Sequence, residues 1–168
     1  GLGRAFAERL AALGCHIGVH GMREEGPSEY GGRETLTDVA RAIAETHGVR
    51  AVKILADLTR VEDIERTVAT AGAELGPIDI LVHNAGVVVW RPFLEQTFAE
   101  IELQVGVNLV GTMKLTHLLL PAVRDAVIVV ASTASLHGTA TLGPYGASKW
   151  GVRGFVKALA KEHPEKRI

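Results

Sequence analysis

The chain has 168 residues, of which 47% are hydrophobic and 22% are charged, and its formal net charge is −1. This composition predicts one globular domain over residues 1–168, large enough to bury a core, and the near-neutral charge argues against a nucleic acid or an anionic membrane as partner. No apolar run reaches the roughly 20 residues of a membrane-spanning helix, and the single cysteine, Cys15, excludes an internal disulfide and favours a reducing compartment such as the cytoplasm.

Apolar stretches alternate with helical patterns along the chain. The patterns predict strands over 15–20, 51–56, 78–83 and 126–132, and helices over 2–13, 34–46, 61–75, 93–104, 107–122 and 143–162. The longest irregular segment is a Gly- and Glu-rich loop at 21–32. The strands are short, β-branched and apolar on both faces, as parallel strands covered by helices are. The alternation therefore predicts an α/β fold with a doubly wound parallel sheet.

Small and polar residues stand where ligands bind in such a sheet, at the carboxyl ends of the strands. Gly1 and Gly3 open the first helix, where they would let a pyrophosphate approach backbone N–H groups. Asp57 follows the second strand, either as an acceptor for an adenine amine or as a solvated loop residue. "HNAG" at 83–86 closes the third strand, and Ser132 ends the fourth.

Tyr145 and Lys149, in "YGASKW", are four residues apart in a predicted helix. Residues at this spacing lie on the same helix face, so the two side chains can share a site. The spacing is common by chance, and a tyrosine packed at a helix start with its lysine extended to solvent is the simpler interpretation. Other parts of one chemistry are needed to decide between the two.

Those parts occur along the chain in a recognisable order. "GLGRA", "AD" after a strand, "ILVHNAG", "VNLVG", a strand-end serine and "YGASKWGVRG" follow one another. In this order and spacing the chain resembles the short-chain dehydrogenases/reductases over essentially its whole length. Ser132 precedes Tyr145 by 13 residues, the usual interval, and the last segment is most similar to bacterial hydroxysteroid dehydrogenases.

The resemblance implies a Rossmann-like sheet and an NAD(P)(H)-dependent oxidoreductase that interconverts a secondary alcohol and a ketone. It makes Tyr145 the acid/base and Lys149 the cation that holds the nicotinamide ribose. A free tyrosine has a pKa of about 10, so the positive charge of Lys149 is needed to favour tyrosinate near neutral pH. Ser132 would orient the substrate oxygen. Asn108 would sit at a helix irregularity and anchor a water that links Lys149 to solvent. Without the resemblance, the preferred interpretation of Asn108 is a mid-helix residue whose side chain bonds to its own backbone.

The resemblance also implies the cofactor contacts. These are Gly1, Leu2, Gly3, Arg23, Asp57, Leu58, Asn84, Ala85, Gly86, Tyr145 and Lys149. His83 replaces the family's commoner Asn, with little consequence expected. The seven histidines are scattered along the chain, and no metal site is predicted.

Cofactor choice is predicted from the end of the strand at 15–20. NAD-preferring members carry an acidic residue there for the ribose 2′-hydroxyl, and the corresponding position is Gly21. Arg23 is close enough in sequence to pair with a 2′-phosphate, although Glu24 and Glu25 count against it. The sequence therefore predicts NADP as the preferred cofactor.

Relative to the family, the first strand would precede Gly1 and the C-terminal strands would follow Ile168. We therefore expect an incomplete domain in which 15–20 pairs with 51–56 and 78–83 pairs with 126–132. Where a central strand is missing, we expect either a gap of about 10 Å or a non-native closure of the sheet. The isolated chain is expected to be inactive. The full-length protein is expected to be a cytoplasmic homo-oligomer with a small carbonyl or alcohol substrate and no nucleic acid or membrane partner. A catalytically silent scaffold or cofactor sensor, or an inactive fragment, is the alternative.

Overall fold

Helices and strands alternate along the chain in the predicted order. In the computed structural model, which describes residues 1–26 and 34–168, the helices are α1 (Leu2–Ala11), α2 (Leu36–His47), α3 (Val61–Leu75), α4 (Phe98–Val105), α5 (Thr112–Leu119) and α6 (Gly143–Glu162). The strands are β1 (Ile17–Gly21), β2 (Ala51–Leu55), β3 (Ile78–His83) and β4 (Val123–Val129). The α/β alternation is confirmed, and residues 27–32 of the predicted loop lie outside the described residues.

The chain forms two compact units, Gly1–Ile78 and Asp79–Ile168. Among the described residues the strands form two pairs, β1 with β2 and β3 with β4. Both predicted strand pairs are therefore confirmed, while the predicted gap between them stays a prediction.

The first unit is built on β1 and β2, which run parallel with Ile17 opposite Ala51 and Gly21 opposite Leu55. Helix α2 begins with a capping box, in which the Thr35 hydroxyl accepts from the Asp38 N–H and the Asp38 carboxylate accepts from the Thr35 N–H. Its apolar face joins α1 and β1 in a core of Ala11, Ile17, Val39 and Ile43. The end of β1 lies beside the start of α2, since a Cβ on Gly21 would be 3.0 Å from Leu36 Cδ2.

In the second unit, β4 lies three residues earlier than the predicted 126–132. The backbone of its first residues finds partners near the end of the chain, since Lys166 Nζ donates to the Val123 carbonyl at 2.6 Å and the Arg167 N–H donates to the Asp125 carbonyl at 3.0 Å. At the other end the strand stops at Val129, and Ser132 instead caps a 3₁₀ turn at Thr133–Ser135. The prediction for this strand's bounds was wrong because these partners are distant in sequence.

The helices before β4 also differ from the prediction. Thr97 and Glu100 form a capping box that starts α4 at Phe98, so Phe93–Glu95 is a separate 3₁₀ turn. Residues Gly106–Gly111 are π-helical and lead into α5. The helix irregularity predicted at Asn108 is therefore confirmed.

Candidate active site

Tyr145 and Lys149 lie on one face of α6, as their spacing predicts. The helix begins at Gly143 with Pro144 in its first turn, where the missing N–H of proline costs no hydrogen bond. Tyr145 is half-buried and Lys149 is only 5% exposed, with its Nζ 5.9 Å from the centroid of the Tyr145 ring. The simpler interpretation, with Lys149 extended to solvent, is wrong.

The Lys149 ammonium is held below the surface of the second unit. Its Nζ donates to the Val130 carbonyl at 2.9 Å, just beyond β4. Burial lowers the pKa of Lys149 below its usual value, because the charged form loses solvation. An ammonium has three N–H donors. Within the described part of the chain, the Val130 carbonyl accepts from one of them. Lys149 can therefore donate to the oxygen atoms of a ligand.

Gly86 leaves space beside this ammonium. A Cβ placed on Gly86 would lie 3.3 Å from Asn108 Oδ1 and 3.6 Å from Lys149 Nζ. Asn84 and Ala85, directly before it, are half-buried. The structure thus brings the predicted residues Gly86, Asn108 and Lys149 together, and the glycine keeps the space next to them open.

Asn108 is almost completely buried in the π-helical segment, with 1% exposed. Its Oδ1 accepts from the Val87 N–H at 2.8 Å, and its Nδ2 donates to the Val87 carbonyl at 2.9 Å and to Ser148 Oγ at 3.1 Å. The alternative that Asn108 bonds to its own backbone is wrong. Its side chain joins Val87, the residue after the "HNAG" segment, to Ser148 on α6. The water that the resemblance assigns to Asn108 stays a prediction.

Ser132 lies on extended backbone just beyond β4, half-buried. Its Oγ accepts from the Ala134 N–H at 3.1 Å. A hydroxyl also has one proton to donate, so this contact leaves that proton for a substrate oxygen.

Arg153, on α6, is a residue that the sequence reasoning missed. Its Nη1 donates to the Ser135 carbonyl at 3.2 Å, and Ser135 Oγ donates to the Ser132 carbonyl at 2.5 Å. Arg153 follows Lys149 by four residues and therefore lies on the same helix face. That spacing is the sequence signal that could have identified it. The loop that carries Ser132 is thereby joined to α6.

The remaining predicted cofactor residues lie in the first unit. Gly1 precedes α1, where Gly1 and Leu2 are exposed and Gly3 is half-buried. Asp57 Oδ1 accepts from the N–H and the hydroxyl of Thr59, at 2.9 and 2.7 Å, as a loop aspartate does. A carboxylate has about four acceptor sites, so Asp57 keeps acceptor positions that an adenine amine could use. Leu58 is buried, and its side chain belongs to the core.

The end of β1 carries the residues that bear on cofactor choice. Gly21 is the last residue of the strand, and a Cβ there would lie 3.0 Å from Leu36 Cδ2 in the core. A side chain at this position would press on the Leu36 side chain, which would have to shift by a few tenths of an ångström. Arg23, two residues on, is exposed.

Glu24 is committed to other partners. Its carboxylate accepts from the Thr37 N–H at 2.9 Å, at the start of α2, and from Lys53 Nζ at 3.0 Å. Hydrogen bonds from Thr37 and Lys53 lower the pKa of Glu24 to about 2, so the carboxylate is ionised and its charge is offset by a lysine that the sequence reasoning did not consider.

Within residues 1–26 and 34–168, no group of three or more His, Cys, Asp or Glu side chains is arranged to hold a metal ion. None of the helices in the same residues is both long and apolar enough to cross a membrane.

Comparison with known proteins places this geometry in context. A family model described as "short chain dehydrogenase" matches residues 1–168. A Mycobacterium tuberculosis protein named "Uncharacterized NAD-dependent oxidoreductase" is 33% identical, over 95% of this chain and 61% of that protein. A Staphylococcus epidermidis "Diacetyl reductase [(S)-acetoin forming]" is 30% identical, over 100% of this chain and 63% of that protein. The chain spans less than two thirds of the length of these two relatives.

Among solved structures, a metagenomic short-chain oxidoreductase in complex with NADP is similar, with a TM-score of 0.87 and 29% identity, over 98% of this chain and 72% of that one. This similarity confirms the predicted Rossmann-like α/β fold.

Proposed function

This chain belongs to the short-chain dehydrogenase family, and from that membership we propose that the protein is an NAD(P)(H)-dependent oxidoreductase that interconverts a secondary alcohol and a ketone. The observation that carries the proposal is the buried Lys149 ammonium, 5.9 Å from the Tyr145 ring centroid and beside the open space at Gly86. A buried cation next to a phenol is costly to maintain without a function. The names of the two curated relatives are consistent with this class of reaction.

The residues present fit a nicotinamide nucleotide. The space that a side chain at Gly86 would fill lies beside Lys149, whose remaining N–H donors suit ribose hydroxyls. Lys149, Gly86, Asn84 and Ala85 would hold the nucleotide, which supplies or accepts the hydride when bound.

The proton is handled by the side chains of the second unit. In the reducing direction the Tyr145 hydroxyl donates its proton to the ketone oxygen, and the nearby positive charge of Lys149 stabilises the phenolate that remains. The Ser132 hydroxyl donates a hydrogen bond to the same oxygen and orients it. The bond from Lys149 to the Val130 carbonyl keeps the ammonium in place for this role.

We infer one nucleotide-binding domain over residues 1–168 and a homo-oligomeric protein that acts on a small carbonyl or alcohol substrate. Phe98, Leu103 and Trp150 are exposed apolar side chains on α4 and α6, and they support self-association. The single cysteine, Cys15, supports a cytoplasmic location.

The proposal is tested with the protein expressed from its complete reading frame, incubated with NADPH or NADH and a panel of ketones and secondary alcohols. We expect ketone-dependent oxidation of the reduced nucleotide, followed by its absorbance. Nucleotide binding without turnover of any panel member would favour the cofactor-sensing alternative. Absence of both binding and turnover would exclude the proposed function.

We further propose a preference for NADP(H). The relatives differ in the nucleotide they are named or shown with, so the proposal rests on the end of β1. Gly21 carries no acidic side chain, and Glu24 is paired with Lys53. Arg23 is exposed there, and a guanidinium binds a phosphate with paired, charge-assisted hydrogen bonds.

Arg23→Ala is expected to lower kcat/KM for NADPH about ten-fold while leaving that for NADH nearly unchanged, because a hydrogen bond to a charged group contributes about 1.5–3 kcal/mol. Steady-state kinetics with both nucleotides measure this effect. Arg41→Ala is the matched control, since Arg41 is an exposed α2 residue paired with Asp38. A preference for NADH that Arg23→Ala does not alter would refute the proposal.

A further inference from the structure

His83 is a buried residue that the proposed mechanism does not use. It ends β3, is 6% exposed, and its Nε2 lies 2.8 Å from Thr116 Oγ1 on α5. The Thr116 hydroxyl itself donates to the Thr112 carbonyl at 2.7 Å. Because a hydroxyl has only one proton, it must accept from His83, so Nε2 carries a hydrogen and donates it.

The hydrogen bonds continue from Thr116 to the active site. Thr112 Oγ1 donates to the Asn108 carbonyl at 3.0 Å. Asn108, Thr112 and Thr116 are spaced four residues apart and are each at most 3% exposed, so they form one buried row, here termed the threonine ladder. The ladder connects His83 to Asn108 through buried hydrogen bonds only.

The same ladder contacts both ends of the Asn84–Gly86 segment. At the start of the segment, Thr116 binds the His83 side chain. At its end, Asn108 binds both the N–H and the carbonyl of Val87. The segment is thus attached to one helical stretch at two points. Within the described residues every buried side-chain polar atom has a hydrogen-bond partner, and in such a network the loss of one member leaves another unpaired at a high cost.

We propose that His83 is a positioning residue, which through Thr116 fixes the backbone of Asn84–Gly86 relative to Asn108. The expected effect of His83 on nucleotide binding rests on the proposed function, in which the Asn84–Gly86 segment holds the nucleotide. The sequence alone predicted little consequence for a histidine at this position. An asparagine side chain ends one atom short of the imidazole Nε2, so the contact with Thr116 depends on the longer side chain.

The backbone effect is tested by hydrogen exchange in the full-length protein without nucleotide. His83→Leu removes the donor, whereas His83→Gln keeps an N–H at a similar distance from the backbone. Thr116→Val removes the partner hydroxyl with almost no change in shape. We expect exchange of the Val87 amide to rise about ten-fold in the Leu and Val variants and to remain near wild type in the Gln variant.

The consequence for binding is tested by titration with NADPH. The Kd is expected to rise about ten-fold in His83→Leu and in Thr116→Val, and the double variant should be no weaker than either single one, because both remove the same contact. A lower melting temperature with unchanged Val87 exchange in both single variants, or full additivity in the double variant, would overturn the inference. If the wild-type protein binds no nucleotide, the proposed function fails, and the exchange result alone then decides the role of His83.

Discussion

Tyr145→Phe is expected to remove nearly all turnover while leaving the fold and nucleotide binding intact. The substitution removes one hydroxyl and keeps the half-buried ring at the start of α6, with Lys149 Nζ beside it. Without the hydroxyl no group at this position can give a proton to the ketone oxygen. Because a positioned acid/base contributes about 10²–10⁴-fold to the rate, kcat should fall about a thousand-fold.

The measurement is kcat with NADPH and the best ketone of the panel, together with the Kd for NADPH and the melting temperature. An unchanged Kd and melting temperature would show that only the chemistry is lost. Residual activity above about one tenth of wild type is far more than loss of an acid/base permits, and it would remove Tyr145 from its proposed role.

Lys149→Met is expected to impair turnover and nucleotide binding together. Methionine retains most of the buried aliphatic stem but lacks the ammonium, so the variant tests the charge rather than the packing. We expect kcat to fall about a hundred-fold, because the phenolate loses its cation, and the Kd for NADPH to rise about ten-fold, because the ribose loses a charged donor. Lys157→Met, on the same helix and exposed, is the matched control.

Because Lys149 is buried, the stability of the wild-type protein should depend on pH in a defined direction. Burial lowers the pKa of Lys149 from its usual 10.5, so between the two pKa values the unfolded chain binds more protons than the folded one. The free energy of unfolding contributed by Lys149 therefore rises as the pH rises through the lowered pKa towards 10.5. Urea unfolding across this range should show that rise in the wild type and a smaller one in Lys149→Met. Identical pH profiles, with kcat and Kd unchanged, would contradict a buried, functional ammonium.

The sequence by itself determined the elements whose signals are local. Helix α3 at 61–75 and strand β3 at 78–83 were predicted with the bounds that the structure has, because periodicity and the Gly76-Pro77 turn are contained in the segments themselves. The four-residue spacing of Tyr145 and Lys149 placed them on one face of α6, since helix geometry requires it. The start of α4 also has a local signal, the Thr97–Glu100 capping box, although the predicted helix began at residue 93.

Only the tertiary structure decided what depends on contacts between distant residues. Strand β4 begins at Val123 because its backbone finds partners near residue 166, more than 40 positions away. Lys149 points inward because the Val130 carbonyl lies within its reach, and His83 has a partner because α5 passes beside the end of β3. Periodicity reports which face of an element is buried, but it carries no information on which side chain from another element lies opposite. The burial of the ammonium and the attachment of the Asn84–Gly86 segment therefore arise from the packing of elements against one another.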